Sequence, residues 1–298
     1  MLERMIGSPQ PALLASMEAV AARLAGTTCA ALFRDPAQWV GQLRGAARVI
    51  GCRTLMVGRS PWIAAEALGR SVNWEGEPTG TGGQQAPVRG ESERWLALLA
   101  TLERLTADPA RGAVVAVLPG PGVVGRAFGS EPDAAFLGML KPALLPLVEE
   151  ICRRRPDLLL IEEADAFDDA VPGTAYRRLF GTLRNLARYY NVALGIGAST
   201  DGSPVTEALS ALQPDVLLPG AASSGALPEL KDLARCAGAL QLVGVTVDLS
   251  DPVRTRDRVE EARRTLTAGR WCVYSAAELG RDVDLGGIRA LVAALETR

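Results

Sequence analysis

The chain of 298 residues contains no histidine. That absence removes imidazole as general base, proton shuttle and metal ligand, so acid–base chemistry near neutral pH has to come from other side chains. Lysine is almost missing too, present only at Lys141 and Lys231, and the positive charge is carried by arginine. Five cysteines, at 29, 52, 152, 236 and 272, are odd in number and never spaced Cys-x-x-Cys, which argues against a disulfide framework and for a reduced, cytoplasmic chain. No apolar run approaches the ~20 residues of a membrane span. Met1 to Ala15, interrupted by Glu3, Arg4 and two prolines, lacks the apolar core of a secretory signal. Acids and bases are interspersed at a formal net charge of −2, so a small molecule is the expected partner rather than nucleic acid or an anionic membrane.

What the chain does have is apolar residue in quantity, 48% of the total, arranged in short runs. Each run is followed by a turn rich in Gly, Pro, Ser or Asp and then by a segment of helical period. The expected strands are 27–33, 53–58, 113–118, 157–162, 192–197, 215–219, 241–247 and 271–275. Their lack of polar alternation fits parallel strands covered on both faces. Helical segments lie near 36–50, 61–69, 91–107, 131–155, 174–190, 203–212, 226–237, 252–267 and 284–297. Eight alternating units in this length predict one α/β domain over 1–298, a (β/α)8 TIM barrel, with a doubly wound open sheet as the alternative. The aperiodic stretch Gly76 to Gly90 reads as a mobile loop over the barrel face.

Several segments, in order, carry a family likeness: DPAQWVGQLRGAARVIGCRTLMVG, AAEALGRSVNWEGEP, VLPGPGVVGRAFG, PDLLLIEEADAF, YRRLFGTLRNLARYYNVALGIGAS, PDVLLPG, LVGVTVDLSDPVRTRDRVEEARRTL and GRWCVYSAAEL. This succession, over about residues 35–297, resembles the uroporphyrinogen-decarboxylase superfamily. That superfamily includes corrinoid and coenzyme-M methyltransferases and cobalamin-independent methionine synthase. The resemblance implies a TIM barrel, and in relatives often a homodimer, for which Trp39, Trp62 and Trp95 on outer helices would supply an apolar patch. Zinc members of the family carry His-x-Cys at the end of the fifth strand and a further Cys after the last. Here those positions read Gly195-Ile196-Gly197 and Ser275-Ala276-Ala277, so no metal and no cofactor is expected. The decarboxylase's early Asp is replaced by Arg59-Ser60-Pro61, which argues against a tetrapyrrole substrate.

In a barrel, reactive groups stand on the loops at the C-terminal ends of the strands. Glu162, Glu163 and Asp165 follow the run Leu158–Ile161 and are the catalytic candidates; neighbours on a strand end point oppositely, so only one of Glu162 and Glu163 can face the cavity. The structural alternative is pairing with Arg153 to Arg155. Arg59 and Arg126 are candidates for binding an anionic group, Ser199 and Thr200 for contacting one at a helix start, and Asp248 and Tyr274 complete the mouth. Gly120 to Gly125 matches Gly-x-Gly-x-x-Gly after a strand, but a long helix follows where a dinucleotide site needs a second strand, so Gly120 is expected to border substrate instead. Cys272, among large apolar neighbours, reads as inert core. The reading that follows is a metal-independent, decarboxylase-like lyase acting on a carboxylated substrate. The alternatives are a methyltransferase using a corrinoid or folate methyl carrier without zinc, and a non-catalytic binding or scaffold protein.

Overall fold

The runs of Val, Leu and Ala separated by turn residues do become strands. In the computed structural model, which describes residues 2–6, 11–81, 86–163, 173–198, 208–221, 225–267, 270–275, 277–280 and 282–296, ten strands are formed. They are β1 (Leu13–Leu14), β2 (Thr54–Val57), β3 (Ser71–Asn73), β4 (Thr79–Thr81), β5 (Ala113–Pro119), β6 (Leu158–Glu163), β7 (Ala193–Ala198), β8 (Val216–Pro219), β9 (Leu242–Val247) and β10 (Trp271–Ser275). Eight of them make one parallel sheet in the order β1-β10-β9-β8-β7-β6-β5-β2, and β3 and β4 form a separate antiparallel hairpin. The sheet curls until β1 and β2 meet, where the Cys52 thiol donates to the Leu13 carbonyl at 3.4 Å. Eight parallel strands with alternating helices make a nearly closed TIM-like barrel.

The first strand differs from expectation. Residues 27–33 contain the short helix Cys29–Leu32, capped by Thr28, whose side chain accepts from the Ala31 N–H at 3.2 Å. Thr-Thr before Cys-Ala-Ala-Leu is a capping signal followed by helix formers, and it outweighs the β-branched pair. The place in the barrel is taken by Leu13–Leu14, whose ladder to Val273 and Tyr274 completes the sheet. Two residues show no period, so the sequence carried no sign of it. Of the stretch 76–90, residues 82–85 lie outside the described residues. Its start contributes Thr79–Thr81 to the hairpin, and its end is tied down by Val88 and Gly90 N–H groups donating to the Leu68 and Ala67 carbonyls.

Period two divides each strand between two cores. Leu14, Met56, Val115, Val117, Leu158, Leu160, Val216, Leu218, Cys272 and Tyr274 pack inside the barrel, with Leu2 and Met5 closing the lower end. Leu55, Val57, Val114, Ala116, Leu159 and Ile161 face the helices. The lumen is a packed interior rather than a pore, and burying each such aliphatic side chain contributes roughly 1.5–3 kcal/mol. Gly244 lets the layers interdigitate, since an added Cβ would lie 2.6 Å from Leu218 and 3.2 Å from the Tyr274 Cβ. The tryptophans do not form the outer patch expected of them: Trp39 and Trp95 are wholly buried and only Trp62 is half-exposed. Amphipathic helices bury their largest apolar residues against the sheet first.

Candidate active site

Glu162 continues the inward series of Leu158 and Leu160, so the strand that makes the core also delivers a carboxylate to the top of the lumen. There it meets Arg59 in a two-pronged pair, Nε to Oε2 at 3.0 Å and Nη2 to Oε1 at 2.6 Å, and accepts from the Tyr274 hydroxyl at 3.0 Å. Gly197 is level with Glu162 on the next strand, and the Tyr274 hydroxyl occupies the space beside it, 3.5 Å from where a Cβ would stand. Burial lowers the Arg59 pKa, but Glu162, Tyr274 and Glu278 together more than offset this, so the net shift is upward and the guanidinium stays charged. Burial, then Glu162, raises Tyr274 well above its ordinary value and keeps it a donor.

Glu163 points the other way, into the layer between sheet and helices, and is 1% exposed. Its carboxylate accepts from the N–H groups of Gly122 (2.9 Å) and Val123 (3.3 Å) at the start of the helix Pro121–Ala127, and from the Tyr176 hydroxyl at 2.9 Å. The Gly-x-Gly-x-x-Gly motif therefore offers its first amides to a residue of its own chain. Gly120 is required there, because a Cβ would lie 2.2 Å from the Glu163 Cδ. Burial lifts the Glu163 carboxyl to about 7 against the downward pull of those hydrogen bonds.

A third acid, absent from the sequence-derived set, is the first residue of the helix Glu18–Leu24 that follows β1. Glu18 is 1% exposed and accepts from the N–H groups of Gly58 (3.0 Å) and Arg59 (3.3 Å), fixing the turn that aims Arg59 at Glu162. That turn needs glycine: Gly58 has φ 86°, and a Cβ would press on Leu98 and the Val117 carbonyl. Burial, reinforced by Glu278, raises Glu18 to about 8. Glu278, in the loop after β10, is held by the Ala19 N–H at 3.1 Å and stands at the rim. Glu18 was missed because β1 was missed, whereas Glu278 lies in a loop already singled out and was legible by position.

Glu18, Arg59, Glu162, Glu163, Tyr274 and Glu278 border one cavity of about 900 Å³, walled by Cys29, Phe33, Trp62, Pro78, Pro119 and Val123. Of the other sequence-derived candidates, Gly120 lies behind Glu163, and Arg126 and Asp248 are exposed and outside this lining. Asp248 instead closes a turn, accepting from the Ser250 N–H at 2.9 Å and hydroxyl at 2.6 Å, bonds that hold its pKa down. Asp165, Ser199 and Thr200 fall outside the described residues. Arg153 and Arg154 are at the opposite end of the barrel, bonded to Glu149 and to the Glu150 carbonyl, and take no part in pairing Glu162 or Glu163.

The zinc of the resembled family does not fit these residues. Gly195 and Gly197 carry no donor, Ser275 spends its hydroxyl on the Ala277 carbonyl, and the Cys272 thiol is buried against the Val243 carbonyl, its pKa pushed far up by burial. Among the described residues no group of three or more Cys, Asp or Glu is arranged to hold a metal ion.

No family model and no curated protein matches the sequence. Among solved structures, the chain is similar to a methyltransferase from Methanosarcina mazei, at 14% identity and a TM-score of 0.73, over 99% of this chain and 96% of that one. The likeness shows the fold, a TIM-type α/β barrel. No helix among the described residues is long and apolar enough to cross a membrane.

Proposed function

We propose that the chain is a methyltransferase, a divergent relative of the uroporphyrinogen-decarboxylase-like barrels, that passes a methyl group between a carrier and a small acceptor without zinc. The observation that carries this reading is the carboxylate of Glu162, facing the lumen beneath a roomy mouth and clamped by Arg59 and Tyr274. As the acceptor's nitrogen or sulfur forms its bond to the methyl carbon, its proton passes to Glu162. The bond between methyl and carrier breaks, and its electron pair leaves with the carrier. Arg59 and Tyr274 hold the carboxylate in place, and the apolar walls of the mouth exclude water.

The barrel likeness to a methyltransferase supports this over the decarboxylase reading. A decarboxylase needs a cation to seize the substrate carboxylate, and Glu162 already occupies the fork of Arg59, the only cation among the described lining residues. The lyase reading ranks second because Glu18 and Glu163, at about 8 and 7, hold protons that such a reaction could use.

The test offers methylcobalamin or methyltetrahydrofolate, isotope-labelled at the methyl group, with a panel of small amines and thiols. Label should reach an acceptor, and Glu162→Gln should slow that transfer by about 10²–10⁴-fold. Absence of transfer from both carriers, or transfer indifferent to Glu162→Gln, overturns the proposal.

A further inference from the structure

The mouth is unusual in the sign of its charge. Its described lining holds five carboxylates, Glu18, Glu77, Glu162, Glu163 and Glu278, against the single guanidinium of Arg59, which Glu162 neutralises. The remaining wall is apolar and aromatic, with Phe33 and Trp62 on the side and Tyr274 at the floor. Glu163 is turned behind this wall and Glu18 carries its proton at neutral pH, so an anionic ligand entering the recess would meet the carboxylates of Glu77 and Glu278 and no uncommitted cation among the described lining residues. A cation would meet carboxylates and π-faces together, the combination that recognises alkylated ammonium groups.

We infer that the mouth binds a methylated amine in its ammonium form, with Glu18 and Glu278 as the charge partners and Trp62 and Phe33 as the wall against its methyl groups. This names the acceptor of the methyl-transfer reading, which must first give its ammonium proton to Glu162 so that the freed nitrogen lone pair can attack the methyl carbon, and it rests on that reading for the role of the ligand, though not for its binding. Glu18 is buried with a proton at neutral pH, its carboxyl raised to about 8. An entering ammonium stabilises the ionised form, so binding expels that proton and tightens as the pH rises toward 8. The other titratable groups facing Glu18 are Glu278 and Arg59 beside it, Cys29 on the neighbouring helix, and Glu162, Glu163 and Tyr274 across the cavity. Glu77 lies on the same wall; Arg59 and Tyr274 keep their protons through this range, both being shifted upward, whereas Glu163, raised to about 7, titrates within it but is turned behind the wall against Gly122, Val123 and Tyr176.

The test compares three ligands of one shape and different charge: tetramethylammonium, neutral tert-butanol and anionic pivalate, followed by titration calorimetry and by the fluorescence of Trp62 in the intact protein. Tetramethylammonium should bind about tenfold tighter than tert-butanol, with pivalate weaker than both. Glu278→Gln, at the exposed rim where folding is not at risk, should remove most of that preference and leave tert-butanol unchanged. Glu18→Gln should flatten the rise of affinity between pH 6 and 8 that its titration predicts. Pivalate binding as tightly as tetramethylammonium, no binding of tetramethylammonium at any concentration the fold tolerates, or a preference untouched by Glu278→Gln each overturns the inference. Ammonium binding without methyl transfer leaves the inference standing and sinks the methyltransferase reading; methyl transfer with an anion preference does the reverse.

Discussion

The two ends of the barrel use the same residue types to opposite effect. Each end has a large recess, about 1010 Å³ at the N-terminal end of the strands and about 900 Å³ at the C-terminal end. At the lower end arginines outnumber acids, and Asp157, just ahead of β6, is answered from three sides: by Arg111, by Arg4 at 3.2 Å and by the Val114 N–H at 2.9 Å. At the upper end the same strand finishes in Glu162 and Glu163, acids outnumber the one arginine, and both Glu18 and Glu163 are raised toward neutrality by burial. A buried carboxylate answered on every side, as Asp157 is, holds a structure together, whereas buried carboxylates without such cations are costly to the fold and are retained where chemistry or binding needs them. In a TIM barrel that division is the expected one, stability below and reaction above.

The sharpest way to break the comparison is Asp157→Ala. It leaves Arg111, 7% exposed at its side chain, without its charge partner, and should cost about 3–5 kcal/mol in urea unfolding while ammonium binding at the mouth stays as it was. A parallel loss of binding would show that the two ends are not independent. Next in size is Gly120→Ala, which forces a methyl group into the Glu163 carboxyl and should cost about 1–3 kcal/mol. A neutral outcome there would mean the helix Pro121–Ala127 shifts freely.

A further effect concerns pH. Glu18 and Glu163 hold protons in the folded chain up to about 8 and 7, against an ordinary value of 4.5, so the folded state binds more protons than the unfolded one across that interval. Stability should therefore decline as pH rises from about 4.5 to 8, and Glu18→Gln and Glu163→Gln should each flatten the decline in thermal melts recorded along a pH series. A stability that rises through this window would place the excess acids elsewhere. Smallest of all, treatment with a zinc chelator should leave the melting temperature unchanged, and elemental analysis after dialysis should find no stoichiometric zinc. Retained zinc would restore the thiolate chemistry that Gly195, Gly197 and Ser275 do not support.

The spacing Leu158-x-Leu160-x-Glu162 already says that a strand burying its leucines must turn Glu162 to the same side and Glu163 to the other, because the period of a strand is fixed by backbone geometry. Asp35-Pro36, Ser60-Pro61 and Asp251-Pro252 likewise mark helix starts that the structure keeps. Such features are local and need only the chain. Tertiary structure alone decided the rest. It closed the sheet with Leu13–Leu14, a pair too short to announce itself, and so brought Glu18 against Gly58 and Arg59, some forty positions further along the chain. It also handed the glycine-rich turn to Glu163 and left Arg126 and Asp248 outside the mouth. The carboxyl values near 7 and 8 belong to this level as well, because they come from the removal of water by residues distant in sequence.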